Sequence, residues 1–134
     1  MYFCGVMGGV YTLGRGEHLK SRRSIERLFA RGRSAMVFPL RAIYEEVERG
    51  EGEKPVQVLV SVPKRNMRRA VGRNRVKRLM REAYRLNKLG LEGLLLERGK
   101  GLNVAFVYVS KELPDYEHVR VAMVKVLETI IASL

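Results

Sequence analysis

The sequence predicts an α/β (α+β) two-layer sandwich with a small, mostly antiparallel sheet and a strand–helix–strand crossover. Three observations lead to it. Two valine-rich runs, PVQVLVSV at 55–62 and LNVAFVYV at 102–109, have the composition of buried strands. Between them, Val76, Leu79, Met80 and Ala83 recur at helical spacing. Two further helical patterns flank this unit, one near each end of the chain. At 134 residues with 46% hydrophobic content, the chain suits a single domain, 1–134, with a proper core.

The first sixteen residues carry Gly5, Gly8, Gly9, Gly14 and Gly16, which predicts an irregular or mobile start. No basic region precedes the mildly apolar opening, so it does not read as a signal peptide. Residues 21–31 (SRRSIERLFAR) predict a short helix. Ser21 or Ser24 can cap it, Ile25, Leu28 and Phe29 form an i, i+3, i+4 stripe, and Gly32 offers a stop. Residues 36–48 have β content, and Pro39 divides them into a short edge piece and a longer strand. The polar stretch 48–54, with Gly50 and Gly52, predicts a surface turn. The next strand, 55–62, is compatible with burial on both faces and ends at Pro63. After the central helix, residues 89–101 are ambiguous: Leu94, Leu95 and Leu96 suggest a helical turn, and the flanking glycines a loop. Following the strand at 102–109, Asp115 is placed to cap a last helix whose Val119, Ala122, Met123, Val126, Leu127, Ile130 and Leu134 are core positions.

Charge is the strongest functional signal. The formal net charge is +12 and the pI about 10.3. That excess favours a polyanionic partner, either nucleic acid or an anionic membrane surface. Ten of the 26 Lys and Arg fall between Lys64 and Arg85, against one acid, Glu82. With Val76 at the centre of the apolar face, Lys77, Arg81, Asn74, Arg85 and Arg78 occupy an arc from about 100° to 200° on the opposite side. Solvated helix faces mix signs and form i,i+4 pairs; unrelieved repulsion here points to repeated phosphate contacts. Lys64, Arg65, Arg68 and Arg69 lead into this helix, and seven more basic residues lie between Arg15 and Arg33, Arg22 and Arg23 among them.

Catalytic chemistry is absent from the pattern. Glu45, Glu46, Glu48, Glu51 and Glu53 cluster around one predicted turn, the other acids are scattered, and neither His18 nor His118 has metal-ligand or triad spacing. The single cysteine, Cys4, excludes an internal disulfide and points to the reducing cytoplasm. No run of eighteen apolar residues is present. A membrane-surface module would need Trp or Phe on the apolar side of the basic helix, where Val76, Leu79, Met80 and Ala83 stand instead. For Phe29 and Phe38, core packing and base stacking are equally compatible with the pattern.

The stretch SVPKRNMRR followed by AVGRNRVKRLMREAYR resembles the signature of the bacterial ribonuclease P protein component, and LKSRRSIERLFARG resembles that family's first helix. The resemblance covers residues 19–86 specifically. It implies a ribosomal-protein-like fold with a left-handed crossover. It also implies a role beside a catalytic RNA that removes the 5′ leader of precursor tRNA with magnesium held mainly by the RNA. The protein would bind no metal tightly, need no obligate protein partner, and bind no membrane. By motif, Arg73, Asn74, Arg75, Lys77, Arg78 and Arg81 would face the catalytic RNA, with Lys64, Arg65, Arg68 and Arg69 extending that surface and Arg85 joining it from the same helix face. The leader cleft would involve Arg22, Arg23, Ile25, Phe29 and a strand residue, Tyr44 or, in another register, Ile43. Ile25 stands where the family carries an aromatic, and residues 1–10 have no counterpart. A structural RNA-binding protein of ribosomal type is the alternative; it would not distinguish precursor from mature tRNA.

Overall fold

The computed structural model describes residues 15–49 and 53–134. A 3-10 turn at Arg15–Glu17 leads to α1 (Arg22–Arg31), β1 (Arg33–Val37), β2 (Leu40–Val47) and β3 (Val56–Ser61). Then come α2 (Ala70–Asn87), α3 (Leu89–Arg98), β4 (Gly101–Tyr108) and α4 (Tyr116–Ser133). The expected irregular start before residue 15 and the tip of the 48–54 turn lie outside the described residues.

The sheet order is β1-β2-β4-β3, with two antiparallel pairings and a parallel one between β3 and β4. Parallel neighbours require a crossover, and α2 with α3 supplies it. Strand alternation sorts the core into two layers. Leu40, Ala42 and Tyr44 of β2, Val56, Val58 and Val60 of β3, and Leu102, Val104 and Phe106 of β4 share one cluster with α2, α3 and α4. Ile43 and Ala105 point the other way, to Leu28 of α1 and to Leu19, with Ile25 and Leu59 packed against them. β4 is buried from Gly101 through Phe106 because it has a strand on either side and helices over both faces. β3, by contrast, alternates between buried and half-buried residues, so only one of its faces is fully covered. Its outer edge is met by the N-terminal segment, where the Leu19 amide donates to the Val58 carbonyl at 2.9 Å.

Ser21 caps α1, accepting from the Ser24 amide at 3.3 Å. Gly32 is needed for close approach rather than for a left-handed turn. Its φ is −66°, and a Cβ there would lie 2.5 Å from the Leu28 carbonyl and 2.7 Å from Ile43 Cγ2. The short piece before Pro39 is the edge strand β1, and the Phe38–Pro39 peptide is cis. The ambiguous stretch 89–101 is a full helix, α3. Leu91 and Leu95, one turn apart, are buried, and Gly99 closes the helix at φ +64°. Packing outweighs the poor propensity of Gly90 and Gly93, which lie on the exposed side. Asp115 caps α4 by accepting from the His118 amide at 2.9 Å.

Candidate nucleic-acid interface

The central helix divides as its periodicity requires. Val76, Met80, Ala83 and Tyr84 are buried, and Leu79 is packed against the core. On the opposite side Asn74, Arg78 and Arg81 are exposed and Lys77 is half-buried; Arg75 is exposed on the flank. None of Arg75, Lys77, Arg78 and Arg81 makes an ion pair among the described residues. Like charges at this spacing repel, and the helix tolerates them because its inner face is held by the core. Arg69, the residue before α2, provides no side-chain cap, and the first turn has no acid, leaving a positive end next to the basic loop.

Two of the expected RNA-facing cations have partners within the chain. Arg73 turns back on the preceding loop, where Nη1 donates to the carbonyls of Met67 at 3.0 Å and Arg68 at 2.6 Å. Arg85 pairs with Glu82. Arg73 thereby fixes the loop that displays Lys64, Arg65, Arg68 and Arg69, all exposed. Asn66 fixes it further, donating from Nδ2 to the Tyr108 carbonyl at 3.2 Å. The cationic surface also continues to the outer edge of β3, where the N-terminal segment meets Val58. Arg81 lines a shallow groove with His18 and Lys20, the residues that lead into α1.

On the other face of the sheet, α1 presents Arg22 and Arg23 to solvent, with Phe29 48% exposed. Phe38 is 70% exposed in the β1–β2 connection. Neither aromatic is a core residue. Ile25 is half-buried against the sheet beside Ile43. Tyr44 does not join them, which corrects its expected place in a cleft with α1. One step along β2 from Ile43, it points to the opposite layer, is 3% exposed, and shares a 2.7 Å hydrogen bond with the Ser133 hydroxyl of α4. Of the two registers, only Ile43 reaches the α1 face.

Sequence reasoning did not find the buried charge cluster at the end of α2. Lys88 is 2% exposed, with Nζ 2.5 Å from Glu17 and 3.7 Å from Glu92. Burial pushes the Glu92 carboxyl up, with the Lys88 charge pulling it down. Burial likewise holds the Tyr84 hydroxyl well above its usual range, with Glu92 and Glu17 adding to the shift. Nothing in the local sequence distinguishes Lys88 from its exposed neighbours, because its partner lies 71 residues away.

The fold and this surface define a class: a small, basic α+β protein with a rigid cationic helix suited to a polyanion. Comparison with known proteins narrows the class. A family model for ribonuclease P matches residues 13–130. The ribonuclease P protein component of Porphyromonas gingivalis strain W83 is 47% identical over 120 residues, covering 87% of this chain and 85% of that protein. That of Chlorobaculum tepidum is 36% identical over 130 residues, covering 91% and 84%. The solved ribonuclease P proteins of Thermotoga maritima and Staphylococcus aureus each superpose with a TM-score of 0.64. Their identities are 24% and 16%, with 84% and 85% of this chain and 96% and 94% of theirs covered. The chain belongs to the ribonuclease P protein family, the protein subunit of a ribonucleoprotein endoribonuclease whose partner is the ribonuclease P RNA.

Proposed function

We propose that the protein assists a catalytic RNA in removing the 5′ leader of precursor tRNA, with α2 and its preceding loop on the RNA and the α1 side of the sheet along the leader. The observation that carries this is the row of exposed cations Arg75, Arg78 and Arg81, which have no acidic partner among the described residues and stand on a helix anchored by its other face. Such a surface neutralises phosphates and reads little sequence, as an RNA scaffold requires. The exposed Phe29 and the cations Arg22 and Arg23 provide an aromatic and a charged wall for a single strand.

Magnesium does not fit the protein's own donor set on this surface, which consists of cations and Asn74. No group of three or more His, Cys, Asp or Glu is placed to hold a metal ion among the described residues. The RNA is the holder in this proposal, and screening of its phosphates by the protein lowers the magnesium it needs. A cytoplasmic location and a complex without an obligate protein partner complete the reading. No helix among the described residues is long and apolar enough to cross a membrane.

The test is cleavage of a precursor tRNA with a leader of several nucleotides, at low magnesium. It compares catalytic RNA alone, protein alone, and both together. Cleavage at the mature 5′ end only with both is the expected result. Cleavage by the protein alone would place an active site on it. Tight RNA binding with no effect on cleavage would favour a ribosomal-type role.

A further inference from the structure

Beside the start of α2 lies a groove of about 630 Å³. Its apolar surface comes from Met67, Val71 and Leu113, with Gly72 between them. Its charged lining residues are Arg68, Arg69, Arg75 and Lys111, with no carboxylate among the described residues that line it. Val71 is 82% exposed and Leu113 57% exposed, two branched aliphatic side chains from separate segments that share one open surface. The groove has fixed walls. Arg73 and Asn66 tie the loop to α2 and to the end of β4, as described above, and Met67 is buried beneath. A Cβ on residue 72 would come within 2.9 Å of Met67 Sδ, so a side chain at Gly72 would intrude on the floor.

A neighbouring groove shares Arg75 and Leu113, but its lining includes Glu112, Asp115 and Glu117. Charge thus separates two adjacent apolar surfaces: the charged groups of the one beside α2 are cations alone, and in its neighbour three carboxylates offset Arg75 and Lys125. A duplex backbone alone would need the cations and not the aliphatic floor. A nucleotide with its base turned out of a helix uses both, packing the base against apolar side chains and its phosphates against cations. We propose that the groove beside α2 takes one unpaired nucleotide of the catalytic RNA, with its base on Val71 and Leu113 and its flanking phosphates at Arg68, Arg69, Arg75 and Lys111. This rests on the reading of α2 as the RNA-binding face. It extends that face to Lys111 and Leu113, which come from the β4–α4 connection, outside the basic stretch.

The experiment uses the full chain and a bacterial catalytic RNA. Affinity is measured across salt concentration, and base reactivity of the RNA is probed chemically. The double variant Val71→Ser/Leu113→Ser should bind about tenfold more weakly with an unchanged salt slope. One or two unpaired nucleotides protected by the unaltered protein should become reactive again. Lys111→Ala should instead lower the salt slope by about one. If the double variant, folded by circular dichroism, binds within about twofold of the original and leaves the protection intact, the groove holds no base. A Lys111→Ala slope equal to the original would remove the phosphate half of the proposal. If the unaltered protein self-associates and the double variant alone is monomeric with full RNA affinity, the occupant is a second copy and the proposal fails. Failure of the unaltered protein to bind the RNA in a salt-dependent way would instead overturn the α2 reading itself.

Discussion

Arg78 and Lys88 carry the same charge ten residues apart, on one helix and the turn that ends it, and they do opposite work. Arg78 is exposed with no acidic partner among the described residues, while Lys88 is sealed under the fold between Glu17 and Glu92. A cation in water without a partner contributes little to stability and is available to a ligand. A cation out of water must be paired, and its removal strands the partner. The difference between a binding residue and a structural one therefore lies in the complement that the fold brings, and not in the residue.

The largest effect should come from the buried side of α2. Val76→Asp would put a charge at a fully buried position and should unfold the protein, which loss of the cooperative melting transition would show. Next in size, Lys88→Ala should cost about 3–5 kcal/mol in denaturant unfolding, because the buried Glu17 loses the Lys88 charge that offsets its own. Its RNA salt slope, measured below the melting temperature, should not change. Arg78→Ala and Arg81→Ala should show the reverse. Stability should stay within about 0.5 kcal/mol, and each should flatten the salt dependence of RNA binding by about one unit per lost phosphate. Equal slopes would mean that these side chains touch no phosphate.

The smallest effect should come from a charge that is both exposed and partnered. Asp115 is held below its ordinary value of 3.8 by the His118 amide and then by the His118 side chain. A depressed carboxylate stabilises the fold above its unfolded pKa, and this is lost as pH falls through the folded one. Asp115→Asn should slightly flatten the loss of stability below about pH 4. An identical acid limb would show that the contact contributes nothing.

Elements with strong periodicity were legible in the sequence. α2, β4 and α4 follow from apolar spacing, and Pro39 and Pro63 mark real boundaries. α3 was not legible, because its glycines speak against a helix and only the packing of Leu91 and Leu95 decides for it. On the surface, the exposed cations of α2 were readable because repulsion within one helix is a local property. The roles of Arg73 and Lys88 were not, since each depends on where another segment lies. Tyr44 shows a third limit. A shift of one residue along a strand exchanges the two faces of the sheet, and the motif left that register open. Val71 did carry a signal, an aliphatic residue inside a basic run, but its neighbours Leu113 and Lys111 arrive only through the fold.

The Glu17–Lys88–Glu92 cluster also has a consequence for descent. Apolar residues of matching volume could fill such a site with equal or better stability, yet changing any one charge alone exposes the lineage to the cost of an uncompensated neighbour. The three positions, separated by up to 75 places in the chain, would have to change nearly together. The cluster is thus an inheritance that single steps cannot readily leave, and it should persist in relatives as a set or vanish as a set.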